Sequence, residues 1–273
     1  MKLHHAIAVA AGLLAFAFVA DRASASTIVA DWTLSNDATG YSGGSTASGM
    51  PLDSVGGHNF ETPYSGANPA PGGPLGGPSS TSSDWSATGG FYGTQSGATT
   101  LPNDNFSVEV HAALTSYAQG ILFSSDGGRG GDLQIGEDAS GDWVAYFSYD
   151  GNNFTSGTSG GYSGVLIGSA PVALDTDYDL KVDDIGGVFS FFVNGVEAGT
   201  GVTPTGTFGG FNAIHLAVAP GGGGPNYDGL ASDLTITSGV TAVPEPASLA
   251  LFGLGAIGLL AVVRRRRGVS SHA

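Results

Sequence analysis

Carboxylates dominate the side chains of this sequence that could do chemistry. Asp175, Asp177 and Asp179 occur at every second position, so an extended segment would present all three on one side. Asp126 and Asp132 flank a glycine-rich turn and form a second acidic group. Ca²⁺ prefers hard oxygen ligands of this type. The spacing therefore predicts a calcium site at these aspartates, with a solvated acidic turn as the alternative.

Aromatic side chains form the second group of candidates. The segment 143–149 reads WVAYFSY, and in a strand Trp143 and Tyr149 would lie on the same face. Both are close to turn-forming residues, and an aromatic face can stack on a pyranose ring. We expect Trp143 and Tyr149 to bind sugar if they are exposed. The alternative is that these aromatic residues line the core.

No arrangement of residues favours catalysis. The chain has no cysteine, and the histidines between its two ends, His58, His111 and His215, are scattered without an H-E-x-x-H spacing. Glycosidases need two carboxylates that face one groove, whereas Glu137 and Asp138 are adjacent and would point to opposite faces of a strand. We therefore expect no catalytic residues and no enzymatic activity.

The charge of the chain excludes several kinds of partner. The formal net charge is −15. Residues 26–243, called the body below, hold only two of the eight basic residues but 21 of the 23 acidic ones, so the net charge of the body is near −19. Such a surface repels nucleic acid and anionic lipid. We expect no nucleic acid partner, and favour divalent cations or neutral polysaccharide.

Residues 1–25 have the pattern of a secretory signal peptide. Lys2 provides the positive start, an apolar run of 15 residues covers 6–20, and Ala23 and Ala25 fit the small-x-small rule of signal peptidase. We expect cleavage after Ala25. The alternative is an uncleaved membrane anchor, for which the run is short, since a transmembrane helix takes about 20 residues.

The C-terminal segment has three parts in a fixed order. The first is a Pro-Glu-Pro motif, formed by Pro244, Glu245 and Pro246. An uncharged apolar stretch of 17 residues follows at 247–263. The last part is an arginine cluster, formed by Arg264, Arg265, Arg266 and Arg267. The apolar stretch would form a helix about 25 Å long, a minimal bilayer span. Arginines beside a span stay cytoplasmic. We expect the body to lie outside the inner membrane and 268–273 to form a short cytoplasmic tail.

This order closely resembles the PEP-CTERM sorting signal, which occurs in Gram-negative bacteria that make exopolysaccharide. The resemblance covers residues 244–267. It implies processing near the Pro-Glu-Pro motif by exosortase, a membrane-embedded transpeptidase. It also implies a membrane-anchored precursor whose body later resides at the cell surface or in the extracellular matrix. A simple tail anchor is the alternative.

Short patterns of period two fill the body and predict strands. Residues 106–110 alternate between apolar and polar. Residues 189–193 run into Asn194-Gly195, the strongest short signal for a two-residue hairpin. About ten to twelve such segments, with glycine-rich turns and little helical periodicity, predict an all-β domain. We expect a two-sheet jelly-roll β-sandwich.

Four stretches of the body resemble the laminin-G-like group of the concanavalin A-like lectin and glucanase sandwiches. They are MPLD with GGH within 50–58, NFSVEV at 105–110, YDLKV with GVFSFFVNG within 178–195, and YDGL with DLTI within 227–236. The resemblance implies a concanavalin A-like jelly roll and a lectin-like role. It departs from the family where Tyr178 replaces a usual tryptophan and where 67–83 is rich in Pro and Gly.

Together these features predict an exported protein in four parts: signal peptide 1–25, β-sandwich 26–243, sorting signal 244–267 and tail 268–273. Its expected function is non-catalytic binding of carbohydrate, or association with exopolysaccharide, outside the cell. A purely structural surface protein without a small ligand is the alternative, and a glycoside-active enzyme is a more distant one. Signal peptidase and exosortase are the expected processing partners, and Ca²⁺ is the candidate cofactor.

Overall fold

The computed structural model describes residues 26–34, 53–63, 70–71, 75, 83–84, 92–94, 101–117, 119–126, 132–148, 165–199, 201–203, 208–217 and 227–241. Its strands belong to one compact unit, Ala25–Val240. A second unit comprises Met1–Ser24 and Thr241–Ala273, and only Thr241 of it is described. The predicted signal peptide and sorting signal therefore lie outside the described residues. Within the described ranges, no helix has the length and apolar character needed to cross a membrane.

The described residues form fifteen strands. These are β1 Thr27–Thr33, β2 Phe60–Pro63, β3 Ala70–Pro71, β4 Ser83–Asp84, β5 Tyr92–Thr94, β6 Phe106–Leu114, β7 Gly120–Asp126, β8 Asp132–Glu137, β9 Asp142–Ser148, β10 Val165–Pro171, β11 Tyr178–Ile185, β12 Val188–Val193, β13 Val196–Glu197, β14 Ala213–Leu216 and β15 Gly229–Ser238.

The strands form two antiparallel sheets. The eight-stranded sheet has the order β13-β12-β11-β6-β15-β4-β3, with β1 also paired to β15. The seven-stranded sheet has the order β10-β9-β8-β7-β14-β5-β2. Every pairing between these strands is antiparallel, and none of the described residues is helical. The prediction of an all-β body is confirmed.

Alternation of apolar and polar residues explains how the two sheets pack. On β6, Val108 and Val110 are fully buried, whereas Glu109 between them is half-buried on the other face. The ring of Phe147 on the seven-stranded sheet lies 5.3 Å from the ring of Phe189 on the eight-stranded sheet. Because burial of one such side chain contributes about 1.5–3 kcal/mol, this shared apolar layer holds the sandwich together.

Asn194 and Gly195 form the predicted tight hairpin. Val193 pairs directly with Val196, which leaves a two-residue loop. The φ angles of Asn194 and Gly195 are +52° and +73°, and a type I′ turn requires positive φ at both positions. Asn194 Oδ1 also accepts a hydrogen bond of 2.9 Å from the backbone N–H of Asp179. The loop is therefore tied to β11 as well as to its own hairpin.

Fifteen strands exceed the ten to twelve that the sequence predicts. The excess comes from β2 to β5, which have only two to four residues each. Strands this short show no periodicity of their own, and they exist because a neighbour pairs with them, as β14 does with β5. The longer predicted strands are all present.

One buried carboxylate fixes the loop 53–59. The Asp53 side chain is fully buried, and its oxygens accept hydrogen bonds of 2.9 Å from the backbone N–H groups of Asp31, Val55, Gly56 and His58. The His58 ring nitrogen Nδ1 donates a further bond of 2.8 Å. Burial alone would raise the pKa of Asp53, but the backbone hydrogen bonds outweigh it and lower that pKa to about 2. The carboxylate thus clamps the loop to β1.

Candidate functional site

A row of polar side chains crosses four strands of the seven-stranded sheet. Tyr146 on β9 is opposite Gln134 on β8, Gln134 is opposite Ser124 on β7, and Ser124 is opposite His215 on β14. Directly opposed residues point to the same face of a sheet. Apart from Ser125, a buried polar residue, the residues next to each of them along the strands belong to the apolar core. The polar row therefore lies on the face of the sheet that is turned away from the core.

The centre of the polar row is buried. Gln134 is 2% exposed and Ser124 is fully buried, whereas Tyr146 and His215 at the two ends are half-buried. The Ser124 hydroxyl donates to the carbonyl of Ser125 at 3.3 Å. The Gln134 amide nitrogen Nε2 is buried and has no hydrogen-bond partner among the residues that the structure describes. A buried donor of this kind normally has a partner, so the Gln134 amide has a hydrogen-bonding group that the described residues do not use.

A carboxylate lies beside the polar row. Asp132 is two residues from Gln134 on β8, so both point to the same face, and Asp132 is fully buried. Asp126 ends β7 and Asp132 begins β8, so the two predicted calcium ligands occupy neighbouring positions of one hairpin. Burial, and secondarily the charge of Asp138, raises the pKa of Tyr146. The Tyr146 phenol therefore keeps its proton and can donate a hydrogen bond.

Trp143 is a core residue. It is 0% exposed, and its ring packs against Tyr178 at 5.9 Å and Tyr227 at 6.3 Å between centroids. On β9, Trp143 and Phe147 face the core, while Tyr146 faces the opposite side. The prediction that Trp143 stacks on sugar is therefore wrong, because the buried indole has no free face. Tyr149, the other predicted stacking residue, lies outside the described residues.

The three alternating aspartates do not form one cluster. Asp175 lies in a turn with φ +54°, so the segment is not extended there and the predicted alignment of three carboxylates is wrong. Asp175 and Asp177 are exposed. Asp179 is the second residue of β11 and meets different partners, Glu109 and His111 on β6.

Glu109, His111 and Asp179 form a compact cluster on the eight-stranded sheet. His111 is directly opposite Asp179 in the pairing of β6 with β11, and Glu109 Oε1 is 3.7 Å from His111 Nε2. One ligand atom from each of the three side chains lies within 4.8 Å of the others. All three residues are half-buried.

The electrostatics of this cluster are strongly coupled. Pairing with His111 holds the pKa of Glu109 below its usual value. The same pairing with Glu109 raises the pKa of His111, and the charges of Asp179 and Asp233 add to that effect. Burial, followed by the neighbouring Glu109 charge, raises the pKa of Asp179. An added positive charge between the two carboxylates would relieve their repulsion.

Sequence patterns alone did not reveal either arrangement. Gln134 and Ser124 are ordinary polar residues of strands, and only the register of β7 with β8 brings them together. Glu109-x-His111 could have been recognised as a pair on one face of a strand. Its third member, Asp179, is 68 positions further along the chain than His111. The sequence does not show which residues of β6 and β11 face each other.

The body is similar in fold to several solved structures. One is domain 4 of AbnA, a GH43 extracellular arabinanase from Geobacillus stearothermophilus, in complex with arabinotriose. It is 18% identical in sequence, with a TM-score of 0.48, and the alignment covers 80% of this chain and 95% of that one. The Trypanosoma rangeli sialidase in complex with the inhibitor DANA has 11% identity and a TM-score of 0.46, over 77% of this chain and 30% of that one. The botulinum neurotoxin serotype D binding domain has 14% identity and a TM-score of 0.45, and the alignment covers 78% of this chain and 48% of that one.

The C-terminal segment matches a family model. A search of curated proteins finds no match to the chain. Residues 242–267, however, match the PEP-CTERM protein-sorting motif, which contains the Pro-Glu-Pro motif and the four arginines predicted above. This motif implies processing by exosortase and a membrane-anchored precursor that is exported to the cell surface. The chain therefore carries a PEP-CTERM sorting signal.

Proposed function

We propose that the body is a non-catalytic carbohydrate-binding module that acts outside the cell, with sugar hydroxyl groups bound along the polar row. The observation that carries this proposal is Gln134, whose amide is buried at the centre of the row with Nε2 unpartnered. An unsatisfied buried donor costs about 1–3 kcal/mol. Because Gln134 is 2% exposed, binding must open the centre of the row before a sugar hydroxyl group can accept that hydrogen bond.

The chemistry of the polar row favours a neutral ligand with many hydroxyl groups. Its amide, hydroxyl, phenol and imidazole groups supply both donors and acceptors, and none of them is Lys or Arg. The adjacent Asp132 and the net charge of the body, near −19, oppose binding of a polyanion. Export directed by the sorting signal would bring the row to extracellular polysaccharide.

We further propose that the sandwich is a concanavalin A-like jelly roll that occupies residues 26–243, after signal peptidase has removed 1–25. Pairing of β1 with β15 brings the first and last of the described strands together, which agrees with the laminin-G-like order of motifs. The Asn194-Gly195 hairpin also occurs where that order requires it. In such a fold, the polar row would run across the strands, so a chain of sugars could contact several strands at once.

Binding of neutral polysaccharides tests this proposal. We expect the purified full-length chain to bind at least one member of a panel of neutral glycans, and Gln134→Leu to weaken that binding about tenfold, since loss of one or two hydrogen bonds costs about 1–1.5 kcal/mol. A glycan array identifies the ligand, and titration calorimetry then gives the affinity. Leucine keeps the volume of the side chain but removes its donors and acceptor.

A matched pair of serines controls for effects on the fold. Ser124→Ala removes a buried hydroxyl from the polar row, and Ser107→Ala removes one from the eight-stranded sheet. Only Ser124→Ala should weaken glycan binding. If the wild-type chain binds no neutral glycan, or if Gln134→Leu binds as well as the wild type, the proposal fails and the purely structural alternative is favoured.

Calcium binding at the hairpin of β7 and β8 is a separate prediction. Ca²⁺ held by Asp126 and Asp132 at about 100 times its dissociation constant would add roughly 2.7 kcal/mol, or about 5–10 °C in melting temperature. The increase should exceed that in Mg²⁺ or NaCl at equal ionic strength. Asp132→Asn should remove it, and the exposed-site control Asp177→Asn should not. Identical melting curves in Ca²⁺ and in matched salt would contradict the prediction.

A further inference from the structure

The placement of Glu109, His111 and Asp179 is fixed by the strands rather than by flexible loops. Glu109 and His111 are two residues apart on β6, and Asp179 faces His111 from the adjacent β11. Their neighbours Val110 and Leu180 are fully buried in the core. The three side chains therefore project together from the face of the eight-stranded sheet that is turned away from the core.

The distances suit one small ion. The three ligand atoms lie within 4.8 Å of one another, and Glu109 Oε1 and His111 Nε2 are already 3.7 Å apart. Ligand atoms bound tetrahedrally to Zn²⁺ at about 2.0–2.2 Å are about 3.3–3.6 Å from each other. Small rotations of half-buried side chains on two fixed strands would close that difference.

Lys181 is the only Lys or Arg among the described residues, and its ammonium group pairs outside the cluster. Asp179 Oδ1 is buried and has no hydrogen-bond partner within the described part of the chain. The nearby Lys181 places its Nζ 3.1 Å from Asp183 and 5.2 Å from the ring centre of Phe192. The ammonium group is thus paired elsewhere, and two carboxylates share the cluster with one imidazole.

The donor set indicates which ion would bind. Ca²⁺ and Mg²⁺ are held by oxygen ligands, whereas an imidazole nitrogen is a typical ligand of Zn²⁺ and of other late transition metals. Imidazole nitrogen and carboxylate oxygen are both ligand types that Zn²⁺ accepts, and a zinc site with three protein ligands keeps its fourth position open. A dication would also neutralise the two carboxylates.

We propose that Glu109, His111 and Asp179 form a binding site for Zn²⁺, with one coordination position left open. The site is on the eight-stranded sheet and shares no residue with the polar row of the seven-stranded sheet. It also shares no ligand with the calcium prediction at Asp126 and Asp132. The zinc proposal can therefore be tested independently of the proposal that the protein binds carbohydrate.

Metal titration of the full-length chain tests the site. We expect the wild-type chain to bind Zn²⁺, measured by equilibrium dialysis with elemental analysis, and His111→Gln and Asp179→Asn each to lower the affinity of one site at least tenfold. His215→Gln, on the other sheet, and Asp177→Asn, close in sequence, are the matched controls and should bind as the wild type does. Circular dichroism of each metal-free variant confirms that it is folded, and Asp179→Asn serves if His111→Gln does not fold.

Cobalt provides a second readout. Co²⁺ at the same site should give visible absorption bands of four-coordinate geometry in the wild-type chain, and these bands should disappear in His111→Gln. Equal zinc affinity of the wild type and both ligand variants would overturn the proposal. So would an equal loss in His215→Gln, or binding of Ca²⁺ as tight as that of Zn²⁺ at this site.

Discussion

Replacing Asp53 with asparagine should lower the free energy of unfolding by about 2–4 kcal/mol at pH 7, or roughly 5–10 °C in melting temperature. The Asp53 carboxylate is fully buried and accepts four backbone N–H groups and the His58 ring. Asparagine would keep one acceptor oxygen and turn an NH₂ group towards other donors. Hydrogen bonds to a charged group are worth about 1.5–3 kcal/mol each, and a buried donor left unpaired adds a further penalty.

The effect of this substitution should depend on pH in a defined direction. The folded-state pKa of Asp53 is lowered to about 2 from the usual value of 3.8. Its ionisation therefore contributes stability that is fully present above about pH 4 and is lost as the pH falls through about 2. That shift corresponds to about 2 kcal/mol. The difference in stability between the wild type and Asp53→Asn should be constant from pH 5 to 7 and should shrink below pH 4.

Thermal and urea unfolding followed by circular dichroism measure both effects. Asp104→Asn is the matched control, because Asp104 is exposed, and it should change stability by less than about 0.5 kcal/mol. A stability difference for Asp53→Asn that stays the same between pH 5 and pH 2.5 would show that the charge of Asp53 is not what clamps the loop.

Replacing Pro244, Glu245 and Pro246 by alanine should abolish C-terminal processing in a host that has exosortase. Proline disfavours helix at its own position and at the one before it, and it lacks the N–H group that a helix or sheet would need, so alanines would allow the predicted C-terminal helix to extend through the motif. Intact-mass measurement should show a shortened wild-type chain and a variant that keeps its C-terminal segment.

Deletion of the arginine cluster 264–267 should have the same effect, because these residues belong to the matched motif, 242–267. A double replacement of Val240 and Thr241 by alanine, just outside that motif, is the control and should be processed normally. A wild-type chain that keeps residues up to Ala273 in such a host would contradict the prediction.

The parts of the fold that local sequence determines could be predicted well. The strand β6 follows from its alternation, and the hairpin between β12 and β13 follows from Asn194-Gly195 because few residues accept positive φ. Strands β3 and β4 could not be predicted, since each has two residues. Their existence depends on pairing with partners distant in sequence.

The candidate sites were harder to predict for a similar reason. Trp143 has the same sequence signature whether it stacks on sugar or on Tyr227, and only its depth in the sandwich distinguishes the two roles. Asp179 belongs with His111 rather than with Asp175, because the register of β6 with β11 joins them and a turn at Asp175 separates the aspartates. Long-range register is a property of the whole fold, and no local pattern encodes it.

The position of β15 determines how the body responds to mechanical force. β15 is the last strand before the sorting signal, and it is paired with β6 between Gly229 and Ser238 on one side and with β1 between Asp233 and Ser238 on the other. While the precursor is anchored in the membrane through its sorting signal, tension from that anchor would enter the body through this strand. A pull along β15 loads its hydrogen bonds to β1 and to β6 in shear, so the bonds of both ladders resist together. A strand at the edge of a sheet that is pulled sideways loses its hydrogen bonds one after another. The strand next to the sorting signal is therefore held by two neighbours, so tension applied at that end of the body would be resisted by both ladders at once.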